Sequence, residues 1–192
     1  MKKILIGTHN KGKFREISYL LSKKIKKISP NQLKIKSPQE TGKTFFANAK
    51  LKANYFSKFT KLPVISDDSG LCIKALKDKP GIYSARWAKN HGSFKNAMKF
   101  ILKKMKKKID RSAIFICSLS FKYPRGKTIT VLGKIKGSIS LKMLGKKGFG
   151  YDPIFIPNSK SITFGQMPKL EKIRMDHRYD AFKKMKRKVK TL

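Results

Sequence analysis

The sequence has few acidic residues, few cysteines and no long apolar run, and each shortage excludes a class of protein. Its 192 residues include 10 Asp and Glu against 48 Lys and Arg, a formal net charge of +38 at pH 7. Cys72 and Cys117 lack the spacing of a metal site, so we expect buried free thiols in a reducing compartment. No apolar run approaches the roughly 20 residues that span a bilayer, and the apolar segment after Met1 is too short for a signal peptide. These features predict a soluble cytoplasmic protein with no membrane partner.

The remaining composition is that of a folded protein, with an excess of lysine that two hypotheses explain. Hydrophobic residues make up 40% of the chain, including 13 Phe, and the length suits a single domain over residues 1–192. The charge indicates either a nucleic-acid-binding surface or a lysine-rich composition throughout. The lysine clusters lie apart, at residues 23–27, 103–108, 142–147 and 183–190. Because the charge is spread along the chain, we favour the second hypothesis and expect no specific nucleic-acid partner.

Two of the ten acids, Asp67 and Asp68, stand side by side after a short apolar run at residues 63–65. A small hydroxyl residue and a glycine, Ser69 and Gly70, follow them. The run predicts a strand that ends at the acid pair, and ligands of open α/β folds bind at the carboxyl ends of strands. Paired carboxylates there can hold a hard divalent cation and deprotonate a water molecule. We expect the rest of the chain to be organised around this stretch.

The N-terminal stretch predicts a strand over residues 3–7, a small polar loop and then a helix. The helix is indicated by apolar residues at helical spacing: Phe14, Ile17, Leu20 and Leu21. A strand, loop and helix in this order can direct backbone N–H groups at a phosphate, with Lys11 and Lys13 adding charge. The spacing is not that of a Walker A loop. A plain strand-to-helix connection is the alternative.

A second helix is predicted to begin after Thr44, which can cap it. Its apolar positions recur at Phe45, Ala49, Ala53 and Phe56. Asn48 lies within this helix, as either an exposed polar residue or an amide that faces a ligand. Glu40 lies in the preceding loop, and in so acid-poor a chain it is either a metal ligand or a surface acid.

Three more elements follow along the chain. Apolar residues at helical spacing predict an amphipathic helix over residues 94–105. Two apolar runs, residues 113–121 and residues 128–139, are separated by a turn and predict a long hairpin. A last helix is predicted over residues 170–189.

Two further stretches are candidates for ligand contact. Residues 145–155 are rich in glycine, and there Phe149 or Tyr151 either packs within a tight loop or stacks on a flat ring. In the last helix, His177 and Arg178 are either structural or part of a basic cluster that faces a phosphate.

Taken together, these stretches resemble one family, the inosine/xanthosine triphosphate pyrophosphatases, which act on non-canonical purine nucleotides. The matching segments occur in order from one end of the chain to the other: residues 8–13 with Glu16; residues 40–45 with Asn48, Ala49, Lys52 and Ala53; residues 67–71; residues 80–86; Arg111 with Ala113, Phe115 and Cys117; residues 148–155; and Lys172 with His177 and Arg178. No single motif is decisive, but together they are highly specific.

The resemblance implies a two-lobed α/β fold, with a long curved mixed β-sheet flanked by helices and an active-site cleft between the lobes. It implies one pyrophosphatase domain over residues 1–192, assembled as a homodimer. The implied reaction is Mg²⁺-dependent hydrolysis of dITP, ITP or XTP to the monophosphate and pyrophosphate. Two alternatives are the same fold acting on another modified nucleotide and a basic nucleic-acid-binding protein.

Carried over by motif position, the resemblance makes Asp68 the general base and a metal ligand. Glu40 is then the second metal ligand, and Asp67 becomes a supporting acid. The substrate-binding positions are Thr8, His9, Asn10, Lys11, Gly12, Lys13, Ser69, Phe149, Gly150, Tyr151, Asp152, Lys172, His177 and Arg178. The chain departs from the family pattern at four positions. Ala47 stands where the family usually has Glu, Lys147 where it often has Gly, Ile173 where Asn is common and Asp176 where it usually has Ser. These departures bear on base selectivity more than on the reaction itself.

Overall fold

The computed structural model describes residues 2–190 and 192. Its helices within these residues are α1 (Lys11–Leu20), α2 (Phe45–Phe59), α3 (Ser84–Asn90), α4 (Phe94–Met105), α5 (Lys169–Ile173) and α6 (His177–Lys188). Its strands are β1 (Lys3–Ile6), β2 (Lys26–Ile28), β3 (Val64–Ile73), β4 (Lys79–Pro80), β5 (Ser112–Lys122), β6 (Thr128–Ile139) and β7 (Phe155–Pro157). Short 3₁₀ helices lie at Pro30–Leu33, Lys74–Leu76, Gly81–Tyr83 and Asp152–Ile154.

The strands form one mixed sheet in the order β2-β1-β3-β5-β6-β7, with β4 paired to β3. β1 is parallel to both β2 and β3, and Leu5 and Ile6 lie opposite Val64 and Ile65. β4 is antiparallel to β3, and β7 is antiparallel to β6. Because of this register, the loop that follows β1 begins beside Ser66, immediately before the acid pair. The mixed sheet flanked by helices is the one that the resemblance implied.

The chain divides into two compact units. Unit 1 takes its described residues from 1–68, 117–133 and 178–192, and unit 2 consists of residues 69–116 and 134–177. The main apolar core of unit 1 includes Ile4, Ile6, Ile17, Ile65, Leu119, Phe121, Phe182 and Met185. The core of unit 2 includes Leu71, Ile73, Ile101, Phe115, Tyr151, Phe155 and Phe164. Each unit therefore has its own hydrophobic centre.

Local sequence explains where the longer helices begin. The Asn10 side chain accepts hydrogen bonds from two backbone N–H groups in the first turn of α1. Thr44 and Ser93 each accept from the backbone N–H three residues on, at 3.0 and 3.1 Å, and so cap α2 and α4. The predicted helices after residues 13, 44 and 93 are confirmed, as are the two strands of the predicted hairpin.

The prediction that the first central strand ends at the acid pair is wrong. β3 runs from Val64 to Ile73, with Asp67 and Asp68 near its middle and both buried. Apolar residues resume at Leu71, and the strand continues to the core of unit 2. A strand can carry buried carboxylates through its centre when cationic partners compensate the loss of hydration, and this chain supplies such partners.

The single helix predicted over residues 170–189 is also wrong, because the chain forms α5 and α6 with a turn between them. Asp176, His177 and Arg178 are consecutive and all buried. One amphipathic helix buries a stripe of residues three or four apart, so three adjacent buried residues favour an interruption. β2, β4 and β7 were not predicted, since two or three residues are too few to show a period. Across residues 2–190 and 192, no helix has the length and apolarity needed to cross a bilayer.

Candidate active site

Seven charged side chains of unit 1 gather around the middle of β3, and we call them the charged cluster. They are Lys13, Glu16, Glu40, Lys52, Asp67, Asp68 and Arg178. Five are buried, while Lys13 and Glu40 are partly exposed. When all seven are ionised, the carboxylates exceed the cations by one charge. The charged cluster is therefore nearly neutral, with a slight excess that favours a further cation.

The parallel pairing of β1 with β3 brings the loop after β1 to the acid pair. Gly7 N–H donates to the Ile65 carbonyl oxygen at 2.8 Å, which extends the ladder by one residue. A Cβ atom on Gly7 would lie 2.1 Å from Ser66 Oγ and 2.6 Å from Phe56 Cδ2, so the glycine leaves room for these two side chains. The loop then leads into α1, whose Lys13 Nζ lies 3.2 Å from Asp67 Oδ2.

Asp67 is held by cations on two helices. Besides Lys13 on α1, Arg178 of α6 places Nε 3.4 Å from Asp67 Oδ2, and its guanidinium also donates to Glu16. Complete burial alone would raise the pKa of Asp67, but Lys13 and then Arg178 outweigh burial and lower it well below its usual range. Asp67 is therefore an ionised partner that fixes two cations.

Asp68 has a different environment. Asn48 Nδ2 of α2 donates to Asp68 Oδ2 at 3.1 Å, and Lys52 Nζ lies 3.9 Å from Asp68 Oδ1. Burial is the largest influence and raises the pKa of Asp68; Glu40 adds to the rise, while Lys52 opposes it. Asp68 is thus a more basic carboxylate than its neighbour Asp67.

Lys52 links the two predicted metal ligands. Its Nζ lies 2.5 Å from Glu40 Oε1 as well as 3.9 Å from Asp68 Oδ1. Burial would lower the pKa of Lys52, but attraction to Asp68, and next to Glu40, raises it above the ordinary value. The ammonium is therefore charged, and its position marks a point where both carboxylates stabilise a positive charge.

Two carboxylates converging on one point fit a magnesium ion better than a zinc ion. Among residues 2–190 and 192, no group of three or more His, Cys, Asp or Glu side chains is arranged to hold a metal. Mg²⁺ is usually bound by one or two carboxylates together with substrate phosphates and water. Glu40 and Asp68 are the two carboxylates that could hold such an ion.

Several polar groups of the loop at residues 8–13 form hydrogen bonds with one another. Asn10 caps α1 with its side chain, and Thr8 Oγ1 accepts from Asn10 N–H at 3.2 Å. Backbone N–H groups that the sequence suggested for a phosphate thus already have partners. The side-chain ammonium groups of Lys13 and of exposed Lys11 are therefore the better candidates to donate hydrogen bonds to a phosphate.

His9 fastens this loop to a neighbouring segment of unit 1. Its Nε2 lies 3.1 Å from the Ile35 carbonyl oxygen, and its Nδ1 lies 2.6 Å from Ser37 Oγ. Because a carbonyl oxygen can only accept, Nε2 donates to Ile35, and Nδ1 lies within hydrogen-bond distance of the Ser37 hydroxyl. The predicted substrate residue His9 therefore has a structural contact at both ring nitrogens.

Unit 2 contains a second group of predicted site residues, which we call the Asp152 cluster: Gly148, Phe149, Asp152 and Lys172. Asp152 Oδ2 accepts from Phe149 N–H at 2.8 Å and from Lys172 Nζ at 2.7 Å. The same ammonium lies 4.7 Å from the centroid of the half-exposed Phe149 ring, in cation–π range. Gly148 has φ of +74°, and a Cβ there would lie 2.1 Å from Asp152 Oδ2. The glycine-rich sequence thus allows this loop to close around one carboxylate.

Two other predicted substrate residues lie within the core of unit 2. Tyr151 is buried; its hydroxyl donates to the Ser84 carbonyl oxygen at 2.9 Å, and burial raises its pKa. The buried His177 ring stacks on Phe115, with centroids 4.8 Å apart and 10° between the planes. Of the two aromatic candidates for a flat ligand, Phe149 is the more accessible. Two remaining predicted positions are partly exposed: Ser69 and Gly150.

The sequence assigned no site role to Glu16 and Lys52, which the structure places in contact with predicted site residues. Asn48, predicted to be either exposed or facing a ligand, is buried and donates to Asp68. A signal for Lys52 existed, because it falls within the apolar stripe of α2, beside Ala49, Ala53 and Phe56. A lysine in such a stripe is expected to be buried and paired. For Glu16, burial depends on Arg178, 162 positions away, and no local pattern announces it.

The fold is that of an α/β protein whose central strand carries the buried acid pair of the charged cluster. The model of the Ham1 family matches residues 4–188, and the chain belongs to this family.

Similar proteins cover almost the whole chain. The dITP/XTP pyrophosphatase of Caulobacter vibrioides is 40% identical over 186 residues, 96% of this chain and 96% of the relative. That of Dictyoglomus thermophilum is 42% identical over 190 residues, 95% and 92% of the two chains. The solved Staphylococcus aureus Ham1 protein has a TM-score of 0.87 and 34% identity, with 98% of each chain covered. A HAM1 protein from Coxiella burnetii has a TM-score of 0.88 and 32% identity over 100% of both chains.

Proposed function

We propose that this chain hydrolyses non-canonical purine nucleoside triphosphates, namely dITP, ITP and XTP, to the monophosphate and pyrophosphate, and so cleanses the nucleotide pool. The observation that carries the proposal is the near full-length similarity to proteins named dITP/XTP pyrophosphatases. The charged cluster also supports the proposal, because Asp68, whose pKa is raised, and Glu40 both lie near Lys52.

Asp68 is the general base of the proposed reaction. Its carboxylate accepts a proton from a water molecule, whose oxygen forms a bond to the α-phosphorus. The bond between the α-phosphorus and the oxygen that bridges to the β-phosphate breaks. Pyrophosphate leaves with the electrons of that bond, and the proton passes from Asp68 to solvent. A raised pKa supports this role, since a base is most effective when its pKa approaches the working pH.

Mg²⁺ is the cation that we propose for Glu40 and Asp68. When bound, the ion would offset negative charge on phosphate oxygens and make a water molecule more acidic. Lys52 already lies between these two carboxylates, so this chain keeps a positive charge near the reacting groups in either case. Lys13 adds a partly exposed ammonium for the phosphates, and fixed cations of this kind stabilise charge that develops on a leaving group.

The Asp152 cluster is proposed to contact the purine. The Phe149 ring offers a flat apolar face, and Lys172 with Asp152 offers a fixed donor and acceptor pair. A site that hydrogen-bonds the 6-keto group discriminates against a 6-amino group much better than an apolar pocket would. Ser69, Gly150 and the loop at residues 8–13 remain proposed substrate contacts.

We also propose the domain organisation, the oligomeric state and the location of the protein. The family match crosses both units, which supports one catalytic domain over residues 1–192. We expect a homodimer, which light scattering on the purified protein would reveal as twice the 22.0 kDa chain mass. We expect the enzyme to work in the cytoplasm.

The test of the function is a substrate panel with purified protein and Mg²⁺. Pyrophosphate release from dITP, ITP and XTP should be much faster than from dGTP and dATP. Equal rates on all five nucleotides would refute the selectivity, and preference for a different modified nucleotide would reassign the substrate. Absence of turnover on every nucleotide would refute the function.

A further inference from the structure

Asn48 joins the two chain segments that carry the proposed site carboxylates. Its side-chain Nδ2 donates to Asp68 Oδ2 on β3 at 3.1 Å. Its side-chain Oδ1 accepts from the backbone N–H of Gly42 at 2.8 Å, two residues after Glu40. The residue is completely buried, on the first turn of α2. One amide therefore bridges a strand and a loop.

We propose that Asn48 is a positioning residue for the hydrolysis, and this inference rests on the proposed function. The bridge occupies Asp68 Oδ2 and so presents Oδ1, the oxygen on the Lys52 side, to the attacking water. It also fixes the loop that bears Glu40 relative to Asp68. The base and the second carboxylate are thereby held in one arrangement before a nucleotide binds.

The amide group explains why an asparagine stands in this helix. Asparagine is a mediocre helix former, but it combines a donor and an acceptor on one short side chain. An apolar residue of the same size would leave Gly42 N–H and Asp68 Oδ2 without this partner. An aspartate would keep the acceptor and set a like charge against Asp68.

Gly42 gives independent support for the bridge. A Cβ atom at residue 42 would lie 2.5 Å from Asn48 Oδ1 and 2.9 Å from Ala47 Cβ. These are closer than Cβ contacts normally are, so the loop can approach Asn48 because residue 42 is a glycine. The Gly42→Ala variant should therefore disturb the same bridge from the opposite side.

The first test measures hydrogen exchange at the Gly42 amide of the wild-type protein by NMR. Gly42 lies in a loop, yet its N–H donates to a fully buried acceptor, so it should exchange far more slowly than exposed loop amides. Exchange at the rate of an exposed amide would overturn the proposal without any substitution, whatever the folding behaviour of the variants.

The second test compares Asn48→Asp with Asn48→Ala. Asn48→Asp retains the acceptor for Gly42 and loses the donor to Asp68, so Gly42 should stay protected while kcat on dITP falls about 100-fold, the cost of misplacing a reacting group by about 1 Å. KM should stay near the wild-type value. Asn48→Ala should lose both kcat and Gly42 protection.

The matched control is Asn54→Asp on the same helix. Asn54 Oδ1 accepts from Thr128 Oγ1 at 2.6 Å, so this variant also keeps its acceptor, away from the acid pair. It should retain the wild-type kcat. A wild-type kcat in Asn48→Asp, or a change confined to KM, would refute the positioning role while leaving the proposed function intact. Conversely, an inactive wild-type protein with a protected Gly42 amide would refute the function and leave the bridge in place.

Discussion

Asp67 and Asp68 are neighbours on β3, yet their surroundings shift their pKa values in opposite directions. Successive side chains of a strand point to opposite faces of the sheet. Burial would raise the pKa of Asp67, but Lys13 and Arg178 outweigh it and lower that pKa, whereas at Asp68 burial outweighs Lys52 and the hydrogen bond from Asn48 and raises the pKa. Adjacent residues of one chemical type thus become a structural acid and a candidate base. The difference lies in whether the facing cations outweigh burial.

Asp67→Asn should have the largest effect on stability. The substitution leaves the buried Arg178 and the nearby Lys13 without an ionised partner at that position, and breaking a buried ion pair from one side costs about 3–5 kcal/mol. Urea unfolding at pH 7 measures the loss. Asp78→Asn, at an exposed acid, is the control and should have little effect. An unchanged free energy of unfolding in Asp67→Asn would end the structural assignment.

The stability difference between wild type and Asp67→Asn should depend on pH in one direction. The folded-state pKa of Asp67 is lowered, so its contribution is complete above the unfolded value of about 3.9 and is lost as pH falls through the folded value. The free energies of unfolding of the two proteins should therefore differ by a constant amount from pH 8 to pH 5, and the difference should begin to shrink below about pH 4. Convergence already at pH 6 would contradict the lowered pKa.

Glu40→Gln should weaken the response to Mg²⁺. The substitution removes one of the two carboxylates proposed to hold the ion, so the Mg²⁺ concentration for half-maximal activity should rise at least about tenfold. Direct Mn²⁺ titration by electron paramagnetic resonance provides a second readout. Glu171→Gln, at a partly exposed acid of unit 2, is the matched control. Full activity of the wild-type enzyme in excess chelator would remove the metal from the account.

Phe149→Leu should have the smallest effect. Leucine keeps an apolar contact but loses the aromatic face, a change worth about 1 kcal/mol or roughly fivefold in KM for dITP. Phe59→Leu, at a ring that is 58% exposed on α2, is the control. If KM does not change in Phe149→Leu, then Phe149 does not bind the purine.

Elements with local signals could be predicted from the sequence. The periodicity of α4 and the caps at Thr44 and Ser93 are encoded within a few residues, and these helices begin where expected. The end of β3 could not be predicted in this way. Its continuation through two carboxylates depends on cations contributed by α1, α2 and α6.

The candidate site shows the same division. The acid pair and Glu40 stood out because the chain has so few acids. The bond from Lys52 to Glu40 and that from Arg178 to Glu16 are tertiary contacts, which no spacing rule reports. Asp67 and Asp68 were separable in principle, since the period of a strand already assigns them to different faces.

Asp68, and not Asp67, is the proposed base. The most direct measurement is pyrophosphate release from dITP by Asp68→Asn, alongside its free energy of unfolding. We expect a fall in kcat of about 10²–10⁴-fold with a smaller loss of stability than in Asp67→Asn, because burial disfavours the charged form of Asp68. Wild-type turnover by Asp68→Asn would rule out Asp68 as the base.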